Sequence, residues 1–372
     1  MKQPLFRLVP YRILPRVNWL LIATTIALAG FGIVTLWGAT SAGDGPGPFT
    51  GYARKQAVWL LAGVGLMAAL IVFDYRKLRA VVWPLYIVVV VLLAGVLVKG
   101  HMIKGAQSWY DLGPFNLQPS EPGKIIIVLV LAHYLASRMD RFRGLHHTFI
   151  PLAIVGLPMG LILLQPDLGS SVVFVPIAGA MFWVAGLRKW VVVLFALLGV
   201  AAVVVTVPHL KPYQRDRLLV FLHPEDDPLG AGYNMAQAKT ALGSGQLMGK
   251  GWGRGTQTNF RFLPEFHTDF IFPTVGEQFG MVGACLALAL MLLQIGLIAH
   301  VAQQTQDLFG VLIATGMAAM LATHVVFNIG MAIGLMPVTG LPLPFFSYGG
   351  SFMLTCMTAV GLVVGIGARR EL

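Results

Sequence analysis

Charge is what this chain has least of. Asp, Glu, Lys and Arg together make up 11% of its 372 residues, and only 15 residues are acidic. Soluble domains carry roughly twice that share, so an ordinary water-soluble enzyme is excluded. Cysteine is almost absent: Cys285 and Cys356 lie in separate apolar stretches, which leaves no disulfide framework and no thiolate metal site. No Walker-type loop with its preceding strand is present, so nucleotide binding is not inferred. Nor does the chain show two halves with paired interrupted helices, the mark of an inverted-repeat transporter.

What is present is apolar surface. Hydrophobic residues make up 57% of the chain and the mean hydropathy is +0.77. Runs near the length of a bilayer crossing recur at about 18–39, 55–73, 80–98, 122–137, 148–164, 170–186, 189–207, 276–299, 307–330 and 349–368. The expected fold class is an all-α polytopic membrane protein of about ten transmembrane helices. It is read as a single integral domain over 1–372, with one large extracytoplasmic loop at 208–275 between helices seven and eight. Fourteen of the 26 Lys and Arg, but only Asp74, Asp140, Asp307 and Glu371 among the acids, fall on the side of the N-terminus. That positive-inside bias puts both termini in the cytoplasm. The net charge of +11 therefore reports topology and not a nucleic-acid partner. Residues 1–17 show no small-residue cleavage site, so the first helix is expected to be a retained anchor.

Polar sequence collects on the other face, in three clusters at helix ends. Gln118-Pro119-Ser120-Glu121 precedes helix four, with Lys124 three residues on along the same face. Gln165–Ser170 joins helices five and six and contains Asp167. The third is the densest: Arg261–Glu277 (RFLPEFHTDFIFPTVGE) sets Glu265, His267, Asp269 and Glu277 against a long apolar run. Ionisable groups at a bilayer boundary cost free energy and mark function by default. Glu121 and Asp269 should lie near helix N-termini, where a carboxylate is favoured. Capping, an ion pair for Glu121 with Lys124, and a turn role for Asp167 are the plainer readings, and Thr268 could itself serve as N-cap. The glycines at 243, 245, 249, 251, 253 and 255 permit close backbone approach to a ligand or membrane surface, or simply punctuate turns. Lys211, Arg215 and Arg217 precede apolar Leu218–Leu222, a pairing that suits a lipid with an anionic headgroup.

The motifs GAQSWYDLG, FNLQPSE, QPDLGSS, YQRDRLLVFLHPEDDPLGAGYNMAQAKTALGSG, GKGWGRGTQ, FLPEFHTDFIF and MPVTGLPLPFFSYGGS resemble those of the SEDS family (shape, elongation, division and sporulation). The reading GTQTNFRFLPE is most similar to the RodA branch. Two departures are Pro122 after Glu121 and Ser170 in place of the more usual Thr. The resemblance implies a ten-helix peptidoglycan glycosyltransferase that polymerises lipid II outside the bacterial cytoplasmic (inner) membrane. It also implies a class B penicillin-binding protein, a transpeptidase, as partner beside lipid II, the growing glycan strand and membrane lipids. By position Asp269 matches the family's essential aspartate, Glu121 and Lys124 its buried pair, and Asp167 a further sensitive carboxylate. Glu265, His267 and Ser351 fall inside the shared motifs as supporting residues.

The expected chemistry is displacement of undecaprenyl pyrophosphate from an anomeric carbon by a sugar hydroxyl, with inversion. Unlike a glycosidase, which protonates an alkoxide, such an enzyme needs one general base, and Asp269 is the candidate. Lys211, Arg215 and Arg217, or alternatively Lys124, would meet the pyrophosphate charge. A divalent cation, Mg²⁺ or Mn²⁺, is the one cofactor the reaction suggests. The alternatives are a precursor flippase, for which His101, His324 and Asn328 are the polar residues to test, a scaffold that only recruits the transpeptidase, and the division-type (FtsW-like) polymerase of the same family.

Overall fold

A computed structural model of the chain describes residues 14–40, 51–103, 106–111, 113, 116–138, 146–186, 197 and 231–369. The structure is mostly helical. In chain order the long helices are α1 (Trp19–Thr40), α2 (Tyr52–Val72), α3 (Val82–Lys99), α4 (Ser120–Ser137) and α5 (His146–Leu164). Two shorter ones, α6 (Leu168–Val172) and α7 (Phe174–Val184), stand where one continuous helix was expected. Next come α8 (Ala231–Ser244), the one-turn α9 (Thr256–Asn259), α10 (Ile271–Gln304), α11 (Leu308–Ile333) and α12 (Gly350–Gly367). Six of these (α1, α2, α3, α10, α11 and α12) are long and apolar enough to cross a membrane, and the chain is a multi-pass membrane protein. The run at 189–207 lies outside the described residues, Leu197 apart.

The spans form an inner and an outer set. In α11 and α12, 67% and 78% of the apolar window is buried, against 17% in α2, so α11 and α12 belong to the centre and α2 to the rim. Alongside them α4 packs against α3, α5, α7, α11 and α12. That placement explains how an 18-residue helix carrying Glu121 and Lys124 can be buried along most of its length. Wholly buried Val128, Leu131, Leu312, Met317, Val360 and Val363 fill the space between these helices. At one end of the bundle Arg79 pairs with Asp307 at 2.6 Å, and Arg369 donates to the carbonyls of Ile71, Val72 and Gly365.

The opposite end holds what the apolar pattern did not announce. Residues expected as loop form a three-stranded antiparallel sheet, β1 (His101–Ile103), β2 (Ala106–Asp111) and β3 (Asn116–Leu117). The hydroxyl of Tyr110 donates to the Leu92 carbonyl at 2.9 Å, which ties the sheet to α3.

On the same side α10 is broken at Gly280, whose φ of 69° no side-chain-bearing residue adopts easily. The loop after α8 fills the break. Backbone N–H groups of Lys250 and Gly251 donate to the carbonyls of Glu277 and Gln278, and those of Met281 and Val282 donate to Gln246 and Leu247. A Cβ at Gly249 would overlap the Gln278 carbonyl, and one at Gly280 the Leu247 carbonyl. Part of the glycine-dense segment, Gly245 and Gly249, thus makes its close approach to the backbone of α10. It satisfies hydrogen-bonding groups that a kink in a membrane helix would otherwise strand.

Candidate functional site

Of the three acids in Arg261–Glu277, the last sits at the kink. Glu277 is fully buried, and its carboxylate accepts from the backbone N–H of Gln257 (2.8 Å) and Thr258 (3.1 Å), the Thr258 hydroxyl (2.7 Å) and Lys250 Nζ (3.3 Å). It caps α9 from outside and pins the glycine loop to α10. With its acceptor positions occupied it is a structural anchor.

Asp269 is treated differently. The turn before α10 is wound on Glu265, which holds a left-handed φ of 55°. Its carbonyl accepts from Thr268 and Phe270, and its carboxylate accepts from the Thr268 hydroxyl at 3.0 Å. His267 lies 3.9 Å from that carboxylate and stacks on Tyr52, ring centroids 4.3 Å apart. Three consecutive carbonyls are then held by other elements. That of His267 accepts from the Tyr348 N–H (2.8 Å), that of Thr268 from the Ser347 hydroxyl (2.5 Å) and that of Asp269 from Asn328 of α11 (2.8 Å). Asn328 also donates to Leu341 at 2.8 Å, and Gln56 of α2 bonds both Ser347 and Gly349. The backbone beneath Asp269 is thus fixed from α2, α11 and the 334–349 segment. The N-cap of α10 is Phe270, with no side-chain cap, so Thr268 is not the cap and its hydroxyl serves the Glu265 turn.

With the backbone fixed, half-buried Asp269 lines a cleft of ≈ 250 Å³. Gly340, whose φ is 72°, lies beside it: a Cβ there would stand 3.6 Å from Asp269 Oδ2. The same wall contains Glu121, Asp167 and Ser351, so residues from 121 to 351 converge on one space. Glu121 lies in the first turn of α4 and bonds Lys124 Nζ at 2.8 Å, both side chains being almost wholly buried. Asp167 is the N-cap of α6. One oxygen accepts from the Ser170 N–H (3.0 Å), the other from the Ser170 hydroxyl (2.7 Å) and Gln118 Nε2 (3.0 Å). Ser351, in the first turn of α12, donates to the Asn116 carbonyl at 3.2 Å. Lys211, Arg215 and Arg217 lie outside the described residues.

Two features of the wall bear on chemistry. Glu121 Oε2, Ser108 Oγ and Thr339 Oγ1 are buried without a hydrogen-bond partner among the described residues, and all three residues line the cleft. Each is available to a polar group or water entering the cleft. Also, α4 and α12 begin at the cleft with no side-chain cap, so the positive ends of two helices face it. Tyr348 completes the rim. Burial, and then the neighbouring Tyr52, push its phenol above the usual value, which keeps it a hydroxyl donor. An apolar groove of ≈ 330 Å³ between α2, α4 and α12, walled by Trp59, Ile126, Leu129 and Leu354, meets the cleft at Ser351. Gly340, Thr339 and Tyr348 were not singled out from the sequence, where only their place in a Gly- and Pro-rich turn was visible.

Known proteins resemble this chain in sequence and fold. Peptidoglycan glycosyltransferase MrdB of Escherichia coli K12 is 37% identical over 354 residues, covering 93% of this chain and 92% of that protein. A chain of a peptidoglycan synthase complex that coordinates polymerization and crosslinking superposes with a TM-score of 0.81 at 34% identity, covering 95% of this chain and 98% of that one. The rod shape determining protein RodA of Thermus thermophilus superposes with a TM-score of 0.72 at 29% identity, covering 96% and 98%. A model of the FtsW/RodA/SpoVE cell cycle proteins matches residues 18–372, and the chain belongs to that family.

Proposed function

We propose that the chain is a peptidoglycan glycosyltransferase, polymerising lipid II into glycan strands for cell elongation with release of undecaprenyl pyrophosphate. The observation that carries this reading is the convergence, on one cleft, of a half-exposed aspartate on a fixed backbone, unpartnered sugar-facing groups and an apolar groove for a prenyl chain. Asp269 takes the proton of the acceptor hydroxyl as that oxygen attacks the donor's anomeric carbon. The bond to pyrophosphate breaks on the opposite face, so the anomeric configuration inverts. Pyrophosphate departs without a proton because positive charge meets it. The helix N-termini of α4 and α12 supply part of that charge, and Lys211, Arg215 and Arg217 are proposed to supply more. Glu121 Oε2, Ser108 Oγ and Thr339 Oγ1 bind sugar hydroxyl and acetamido groups.

A divalent cation belongs to the proposal in a limited way. Among the described residues no three His, Cys, Asp or Glu side chains cluster as a cage. A Mg²⁺ or Mn²⁺ ion would therefore take one carboxylate of the cleft, with substrate phosphate completing its shell, and would offset leaving-group charge.

The ten apolar runs support ten spans, the positive-inside pattern supports cytoplasmic termini and a cleft on the opposite, periplasmic face, and the inner membrane follows from the proposed activity. A class B penicillin-binding protein is the proposed partner, in keeping with the structural likeness to a synthase-complex chain. A flippase would use His324 and Asn328 along a polar path, yet both are engaged in hydrogen bonds behind the cleft, His324 with Lys124 and Pro342 and Asn328 with the carbonyls of Asp269 and Leu341. The test is product stereochemistry: the purified chain with its partner should release one prenyl pyrophosphate per glycosidic bond with inversion. Retention would require a covalent glycosyl-enzyme and contradict the single-base reading.

A further inference from the structure

Lys124 lies behind Glu121, wholly buried, and has more than one partner. His324 of α11 is also wholly buried, and its Nε2 stands 3.0 Å from Lys124 Nζ. Its other nitrogen, Nδ1, stands 3.0 Å from the Pro342 carbonyl oxygen. A carbonyl only accepts and an ammonium only donates, so the two contacts together fix the tautomer. Nδ1 carries the proton and gives it to Pro342, while Nε2 offers its lone pair to Lys124. An imidazolium could not make the second contact, which would then set two cations face to face in a site closed to water. The ring of Phe352 completes the enclosure, 5.4 Å from the ammonium and 4.7 Å from the imidazole, centroid to centroid.

The consequence lies on the Glu121 side. Lys124 is drawn toward His324 by one N–H and bonds Oε1 of Glu121 with another, and Oε2 remains buried, unpartnered among the described residues and in the cleft wall. Through Pro342 the same imidazole ties α4 to the segment bearing Thr339 and Gly340, on the wall that faces Asp269.

We infer that His324 is a positioning residue of the polymerisation site: a permanently neutral imidazole that aims Glu121 Oε2 at the sugar by holding Lys124 from behind. This rests on the cleft being the site of polymerisation. His324 touches neither the cleft nor the reacting atoms, and it transfers no proton.

The experiment compares His324→Gln and His324→Leu in the full chain co-purified with its transpeptidase partner, with Asp269→Asn alongside. A glutamine amide can accept from Lys124 and donate to Pro342, so His324→Gln should keep kcat within about threefold and leave the pH–rate profile unchanged. Leucine can do neither. Because an error of about 1 Å in a site can cost about 10²-fold, His324→Leu should lose about that much in kcat when assayed well below its melting temperature. Nitrogen NMR of the labelled histidine should show one protonated and one unprotonated ring nitrogen, unchanged from pH 5.5 to 8. Three results overturn the inference: wild-type kcat in His324→Leu, an equally damaged His324→Gln that has lost a limb of its pH profile, or an imidazole that titrates in that range. If the leucine variant does not fold, the glutamine variant and the NMR signature decide. A dead Asp269→Asn beside an unaffected His324→Leu sinks this inference alone, whereas an active Asp269→Asn removes the cleft reading and this role with it.

Discussion

Glu277 and Asp269 stand eight residues apart in one turn-and-helix sequence, and their surroundings could hardly differ more. Around Glu277 backbone amides, a hydroxyl and an ammonium leave the carboxylate saturated and wholly buried. Around Asp269 the main chain is held: its carbonyl and the two before it accept hydrogen bonds from other elements, while the side chain is half exposed in a cleft. The first arrangement spends a charge on holding a kinked helix and a glycine loop together. The second spends neutral hydrogen bonds on fixing a charge for use. A carboxylate whose acceptors are filled is architecture, and one on a fixed backbone beside unpartnered polar atoms is equipment.

That contrast can be broken by substitution. The largest effect should come from Lys124→Met, which leaves Glu121 buried beside no cation. Losing one partner of a buried pair costs about 3–5 kcal/mol, so this variant should fall sharply in folded yield and melting temperature. Retention of wild-type stability would show that the buried pair within α4 does not stabilise the fold. Next comes Gly280→Ala. A methyl there meets the Leu247 carbonyl and requires a positive φ, at a cost of about 1–3 kcal/mol. Melting should drop, with catalysis per folded molecule little changed. Loss of activity without loss of stability would place the kink in the catalytic machinery. The smallest effect is expected of Asp167→Asn. An asparagine still caps α6, so stability should fall by about 1 kcal/mol or less and turnover by under tenfold. If Asp167→Asn were as damaging as Asp269→Asn, a hydrogen-bonded helix-capping role would not separate Asp167 from the catalytic carboxylate.

Much of this was legible in the sequence, because bilayer thickness and helical rise dictate the length of an apolar run. The expected 18–39 and 307–330, for example, are observed as Trp19–Thr40 and Leu308–Ile333. Glu121, Asp167, Asp269 and Ser351 were also legible as a set, since polar residues at apolar helix ends are rare enough to stand out, and they share one wall. What could not be read was which of the three acids in Arg261–Glu277 faces the cleft and which is an anchor. That depends on donors brought from elsewhere, such as Thr258 to Glu277 and Asn328 to the backbone of Asp269. The sheet over residues 101–117 was missed because it is too short and too polar to show a clear alternating pattern. The glycine cluster was legible in part. Close backbone approach was the right inference from glycine density, but the surface approached is another part of the same chain. His324 and Asn328 stood out only as polar residues in an apolar helix, and their partners at Pro342 and Leu341 lie in a segment whose path no local pattern predicts.

The most direct test sets the two contrasted carboxylates against each other. Asp269→Asn and Glu277→Gln are purified with the partner protein, and glycan polymerisation per folded molecule is measured together with melting temperature. General-base loss should lower the rate of Asp269→Asn by about 10²–10⁴-fold and leave its melting temperature near wild type. In Glu277→Gln the amide must face the Thr258 and Gln257 donors, which should cost about 1–3 kcal/mol, lowering the melting temperature while turnover stays within a few-fold. Near-normal polymerisation by Asp269→Asn would contradict the account, whatever Glu277→Gln did.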